Sequence, residues 1–247
     1  MSQYDYNNPY AAPNMEALAI PAAFAEESER TAFIRRTYLH LFGALAAFAG
    51  ILTAVFALTP AAVLDATVGS VLMSPYGWLI VIGMLMGANW IANYWAHNDA
   101  SPAMQYAGLG LYTVAEALVF VPLLYLARMI DPMILPTAGI LTAMVFGGLT
   151  AFVFITKADF SGLGKYLWLA GLVAMGTVVA AILFNFALGV WFGAAMIGLA
   201  AGYILYDTSN VMQHYRTNQH VAAALALFAS VTMLLWYIIR VLMSMRD

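Results

Sequence analysis

Two acids, Glu116 and Asp207, stand inside the long apolar runs of this chain, and they set the chemistry open to it. Glu116 lies in GLGLYTVAEALVFVPLLYLA, about ten residues from either end of its run. A carboxyl group that deep in a bilayer must face other helices, pair with a partner, or stay protonated. No Lys or Arg lies at matching depth, so a neutral partner is expected: Asn89, Tyr112, Thr142 or Asn185. Glu116 is therefore either a hydrogen bond between helices or a proton- or cation-responsive group on a polar pathway. Asp207 closes an apolar run in YILYDTSN, followed by Thr208, Ser209 and Asn210. It is expected about one turn from a helix C-terminus, where the dipole disfavours an anion. Arg216, His214 and His220 follow in sequence, and Arg35 and Arg36 precede the first apolar run. An ion pair between Asp207 and Arg216, or one of the other two arginines, is the expected arrangement. The plainer reading is a polar helix end paired with Arg216.

Other chemistry finds little support. The histidines at 40, 97, 214 and 220 lack metal-site spacing. No phosphate-binding glycine loop or nucleophile elbow is present. Without cysteine, disulfides and thiolate metal sites are excluded. No catalytic residue, metal or cofactor is expected, and the net charge of −3 gives no hint of nucleic-acid binding.

The elements that must position these acids follow from composition. Of 247 residues, 64% are hydrophobic and 9% charged, too few charges to cover a water-soluble surface. An all-α integral membrane protein is expected. Runs long enough to cross a bilayer are Tyr38–Leu58, Tyr76–Ala96, Tyr106–Ile130, Ile134–Thr156, Tyr166–Phe184, Val190–Asn210 and Val221–Met243. Breaks fall at Thr59-Pro60, Ser74-Pro75, Ser101-Pro102 and Asp131-Pro132, where proline cannot continue a helix. The polar loop Lys157–Lys165 gives another break, with Asp159 or Ser161 as helix caps. Asn185–Gly189 is short enough for a tight hairpin. Gly83-x-x-x-Gly87 and Gly198-x-x-x-Gly202 are expected to pack helices closely.

Residues 1–30 read as a disordered cytoplasmic tail, with residues 31–247 as the membrane domain and Glu26–Arg36 as a short amphipathic lead-in. The tail has no apolar signal-type core, so the first spanning helix is expected to direct insertion. With the N-terminus in the cytoplasm, inner segments hold Arg30, Arg35, Arg36, Lys157, Lys165 and Arg216, against Arg128, Arg240 and Arg246 outside. That bias favours N-terminus in and C-terminus out. Arg240 and Arg246 pull the other way, and a re-entrant last segment would reverse the C-terminus.

Three stretches in order carry a family resemblance. GGLTAFVFITKADFSGLGKYL (Gly147–Leu167), GYILYDTSNVMQHY (Gly202–Tyr215) and AAALALFASVTMLLWYIIRVL (Ala222–Leu242) resemble the Bax inhibitor-one family. The acid-Thr-Ser-Asn run and the terminal Arg-Asp look like the bacterial branch that includes the modulator of the membrane-bound AAA+ protease. The resemblance implies seven helices, six wrapping a central last one, in the cell inner membrane. It also implies two activities: modulation of membrane-protease quality control, and a pH-sensitive calcium leak gated by two aspartates. The first aspartate maps to Asp207. The second maps to Ser230, a departure that removes the coupled acid pair. Direct contact between Asp207 and Ser230 would need offset helices or a bridging water. Asp207, Ser230, Glu116 and Arg216 are the candidate gate or pathway residues, with calcium or protons as cargo. A stress-tolerance scaffold without transport is a third reading.

Overall fold

The structure is a computed structural model describing residues 20–74, 76–98 and 101–246. Most of the tail expected to be disordered, residues 1–19, and Pro75 of one expected break lie outside the described residues. Among the described residues the chain folds into eight α-helices and no strand. They are α1 (Glu27–Leu58), α2 (Ala61–Met73), α3 (Gly77–Ala96), α4 (Pro102–Ile130), α5 (Ile134–Thr156), α6 (Gly164–Phe184), α7 (Val190–Gln213) and α8 (His220–Ser244). All but α2 are long and apolar enough to cross a membrane.

Every expected span is present, and the boundaries teach three things. The lead-in Glu26–Arg36 is not a separate element: α1 runs unbroken for 32 residues. The tail boundary expected at residue 30 therefore falls inside a helix. Just before it, Pro21 forms a β-bridge with Arg216, and Ala22 is fully buried. Residues 20–22 are thus built onto the α7–α8 turn. The extra helix, α2, has 13 residues, roughly 20 Å of rise, too short for a hydrocarbon core of about 30 Å. Asp65 of α2 accepts a hydrogen bond from the Tyr125 hydroxyl of α4, tying the short helix to the bundle end.

Helix α8 is central. It packs against α1, α3, α4, α5 and α7, and most of its residues are buried. The expected wrap of six is corrected in one respect: α6 packs chiefly on α7, outside that ring. Lipid tails are as apolar as leucine, so packing rather than dehydration holds such a core. Aromatic rings supply it. Phe120 of α4 meets Phe48 of α1 and Trp236 of α8 edge-on, each at 5.0 Å between centroids. Phe228 of α8 adds edge contacts to Phe48 and Tyr112.

Glycine packing differs from expectation. Gly83 and Gly87 have no neighbour near a built Cβ, so that pair faces away from the bundle. Gly108 of α4 is the tight one: a Cβ there would sit 2.6 Å from the Ala92 carbonyl oxygen of α3. Gly202 does pack closely, against Leu167 of α6, while Gly198 stands in open space.

The last segment is not re-entrant. Helix α8 is continuous for 25 residues, and Arg246 beyond its end pairs with Asp131 of the α4–α5 turn. The Pro21–Arg216 bridge marks the other end of the bundle, so α1 begins and α8 ends on opposite faces.

Candidate functional site: two carboxyl groups against the central helix

Asp207 lies six residues before the end of α7 and is only 7% exposed. Helix α7 continues one turn past the expected limit at Asn210, which sinks the carboxyl group deeper. Its partner is Ser230 of α8, whose hydroxyl donates to Asp207 Oδ2 at 2.5 Å. The expected ion pair with Arg216 or with Arg35 or Arg36 is thus replaced by a direct hydroxyl contact, without a bridging water. The geometry explains why. Asp207 is roughly 9 Å of helix rise from the end of α7, and Ser230 roughly 15 Å from the start of α8. The six-residue turn between these antiparallel helices absorbs the difference. Arg216 sits in that turn, exposed, with its backbone N–H donating to the Gln219 side chain.

Glu116 of α4 is 6% exposed. Its Oε1 accepts from Tyr112 at 3.2 Å, one turn back on α4, and from Thr232 of α8 at 3.0 Å. Tyr112 was among the expected partners. Asn89 instead accepts from Asn93, Asn185 ends α6 in a left-handed conformation, and Thr142 is buried with no hydrogen-bond partner. Thr232 has one proton and three acceptors in reach: Glu116 Oε1 and the carbonyls of Phe228 and Ala229. A proton on Glu116 would let the carboxyl donate to Thr232 while Thr232 donates to its own helix.

The polar residues after Asp207 have separate tasks. Ser209 accepts from the backbone N–H of Phe160 at 2.9 Å and donates to Asp159 Oδ1 at 3.3 Å. Asp159 Oδ1 also accepts from the Ser161 N–H at 2.8 Å. The Ser161 backbone donor is the main reason the exposed Asp159 carboxyl is held below the usual carboxylate range; the nearby His214 and Ser209 add to it. The α5–α6 loop is thereby strapped across α7 two residues from Asp207. Lys157 begins the strap in a left-handed conformation, φ 52°. Thr208 turns the other way. Its hydroxyl faces those of Tyr38 and Thr150, and none of the three has a hydrogen bond of good geometry. Three buried hydroxyls from α1, α5 and α7 suit a small rotation toward one another or a shared water.

Sequence reasoning missed Thr232, although the pair Ser230-x-Thr232 is the sole hydroxyl pair in the middle of the last apolar run. It also missed the Asp159–Ser209 strap, which joins residues 50 apart in sequence.

Comparison with known proteins adds context. The family model described as inhibitor of apoptosis-promoting Bax1 matches residues 30–247. The chain is 27% identical to Protein LIFEGUARD 3 of Arabidopsis thaliana, over 98% of this chain and 99% of that one. It is 31% identical to an uncharacterised protein of Campylobacter jejuni, over 81% and 84%. It is 28% identical to Bax inhibitor 1 of Schizosaccharomyces pombe, over 84% and 74%.

Proposed function

The chain belongs to the Bax inhibitor-one family, and we propose that within it this protein is a cation leak of the inner membrane whose closed state is held by Asp207. One observation carries the proposal: a carboxyl group buried between α7 and the central helix, bonded to Ser230. A buried carboxyl on a packed helix seam is where a cation or proton would be received, and membrane-buried acids are commonly functional. Separating α7 from α8 breaks that bond and opens the seam. Glu116, on another side of α8, is the second acid the path would use. The lysine and arginine bias supports an N-terminus in the cytoplasm, an orientation in which Asp207 lies nearer the inner face.

The test is calcium and proton flux into proteoliposomes across a pH series. Asp207→Asn and Ser230→Ala should raise the leak at neutral pH. Ser230→Asp places two carboxyl groups at bonding distance and should introduce a coupled titration, hence a pH profile displaced from that of the wild type. Identical flat profiles for all four proteins would end the leak proposal. The conclusion would then pass to the other activity the resemblance implies, modulation of a membrane-bound AAA+ protease. Deleting residues 1–19 tests that one: a protease handle predicts a longer cellular half-life for the truncated chain.

A further inference from the structure

An open groove of about 460 Å3 runs between α1 and α4 on the outer surface of the bundle. Its α1 wall comprises Leu39, His40, Gly43, Ala44, Ala47 and Ile51, facing Gly110 and Val114 of α4. Gly43 and Gly110 have nothing within 4 Å of a built Cβ. These glycines are not spent on helix contact; side chains there would fill the groove. From Leu39 to Ile51 is twelve residues, roughly 18 Å of rise. A bilayer leaflet is roughly 15 Å deep, half a hydrocarbon core of about 30 Å. The groove thus has the reach of one acyl chain and falls short of a spanning helix.

One end of the groove is polar. His40 Nε2 lies 3.2 Å from the Tyr106 hydroxyl across the groove, and its Nδ1 is 2.6 Å from the Arg36 carbonyl. Arg36, His40, Gly43 and Ala47 follow the spacing of one helix stripe, so the Arg36 guanidinium stands one turn beyond the groove mouth. It is exposed. His220 of α8 lies beside His40, 4.9 Å between rings, and its buried Nδ1 has no hydrogen-bond partner. The nearest acid on the Arg36 stripe, Glu29, lies seven residues, roughly 10 Å, further from the groove.

A cation above the mouth and a leaflet-deep apolar channel below match one ligand. We propose that this groove binds an anionic phospholipid, with one acyl chain along Gly43, Ala47 and Gly110 and its phosphate held by Arg36. The long arginine stem reaches the headgroup plane while its helix stays in the apolar layer.

The test is native mass spectrometry of the full chain from detergent, with phosphatidylglycerol and phosphatidylcholine of identical chains in competition. The wild type should retain phosphatidylglycerol in preference. Arg36→Gln should lower that preference about fivefold, the share of one basic group near an anionic headgroup, and leave phosphatidylcholine retention alone. Gly43→Leu and Gly110→Leu, on opposite walls, should each expel both lipids while circular dichroism stays that of the wild type. An unchanged lipid ratio in Arg36→Gln would overturn the proposal, as would retention in both leucine variants. Displacement of the lipid by inorganic phosphate would overturn it in favour of a free-anion site. Loss of a dimer in the leucine variants would overturn it in favour of a second copy of this chain.

Discussion

Ser230 and Thr232 stand two residues apart on α8, and each holds a carboxyl group from a different helix. Two residues turn an α-helix by roughly 200° and advance it roughly 3 Å. Asp207 and Glu116 are therefore fixed at nearly one depth on opposite sides of the central helix.

Removing the two hydroxyls should have unequal effects. Ser230→Ala leaves Asp207 without its hydrogen bond, and stranding a buried polar group costs about 1–3 kcal/mol. Thr232→Val leaves Glu116 its Tyr112 bond and keeps the side-chain shape, so about 0.5–1 kcal/mol is expected. Reversible unfolding in mixed micelles checks both. Equal losses would mean that Tyr112 does not support Glu116.

Close packing between α3 and α4 rests on Gly108. Gly108→Ala pushes a methyl group into the Ala92 carbonyl, backbone that cannot swing aside, and should destabilise by about 1–3 kcal/mol. Gly110→Ala, two residues on and in open space, should be neutral or slightly stabilising through helix propensity. A matched pair of thermal melts decides it, and equal shifts would contradict the α3–α4 contact.

The loop strap should respond to acid in a definite direction. Asp159 titrates lower in the folded protein than in an unfolded chain, through the Ser161 N–H above all. Its contribution is then fully present above the ordinary carboxylate range near pH 4 and is lost as pH falls through the lower folded value. Hydrogen exchange at Phe160 and Ser161 should stay slow from neutral pH down to about 4 and quicken below it. In Asp159→Asn it should be fast across the whole range. Protection that already fails near neutrality would assign the strap to another group.

Topology can be read directly because the chain has no cysteine. Ala158→Cys, in the α5–α6 loop, should resist an impermeant thiol reagent in intact cells and react after the membrane is opened. Reaction from outside would invert the orientation.

The spans were legible because each is a run of about 20 apolar residues bounded by proline or polar loops, a signal that needs no tertiary information. Helix α2 was not: its 13 residues fall below that length, and Asp65 breaks the run. Glu116 and Asp207 were legible as acids out of place, and Tyr112 as a partner one turn away. Ser230 as the direct partner of Asp207 was not, because the depth match depends on α7 running to Gln213 and on the turn that follows. The strap was equally hidden, since Asp159 reaches Ser209 only after α6 has folded back along α7. Charge counting pointed to arginine partners for Asp207, but helix crossing supplied a hydroxyl first.

The central position of α8 also fixes an order of events during synthesis. It leaves the ribosome after α1–α7, yet it carries partners of both buried acids. Glu116 and Asp207 enter the bilayer before residues 230 and 232 have been made. Until then each acid must lean on water at the insertion channel, on lipid headgroups, or on a proton. A chain interrupted before His220 would hold both acids and neither α8 hydroxyl. The two carboxyl groups thus settle only when α8 slides in among the helices that precede it.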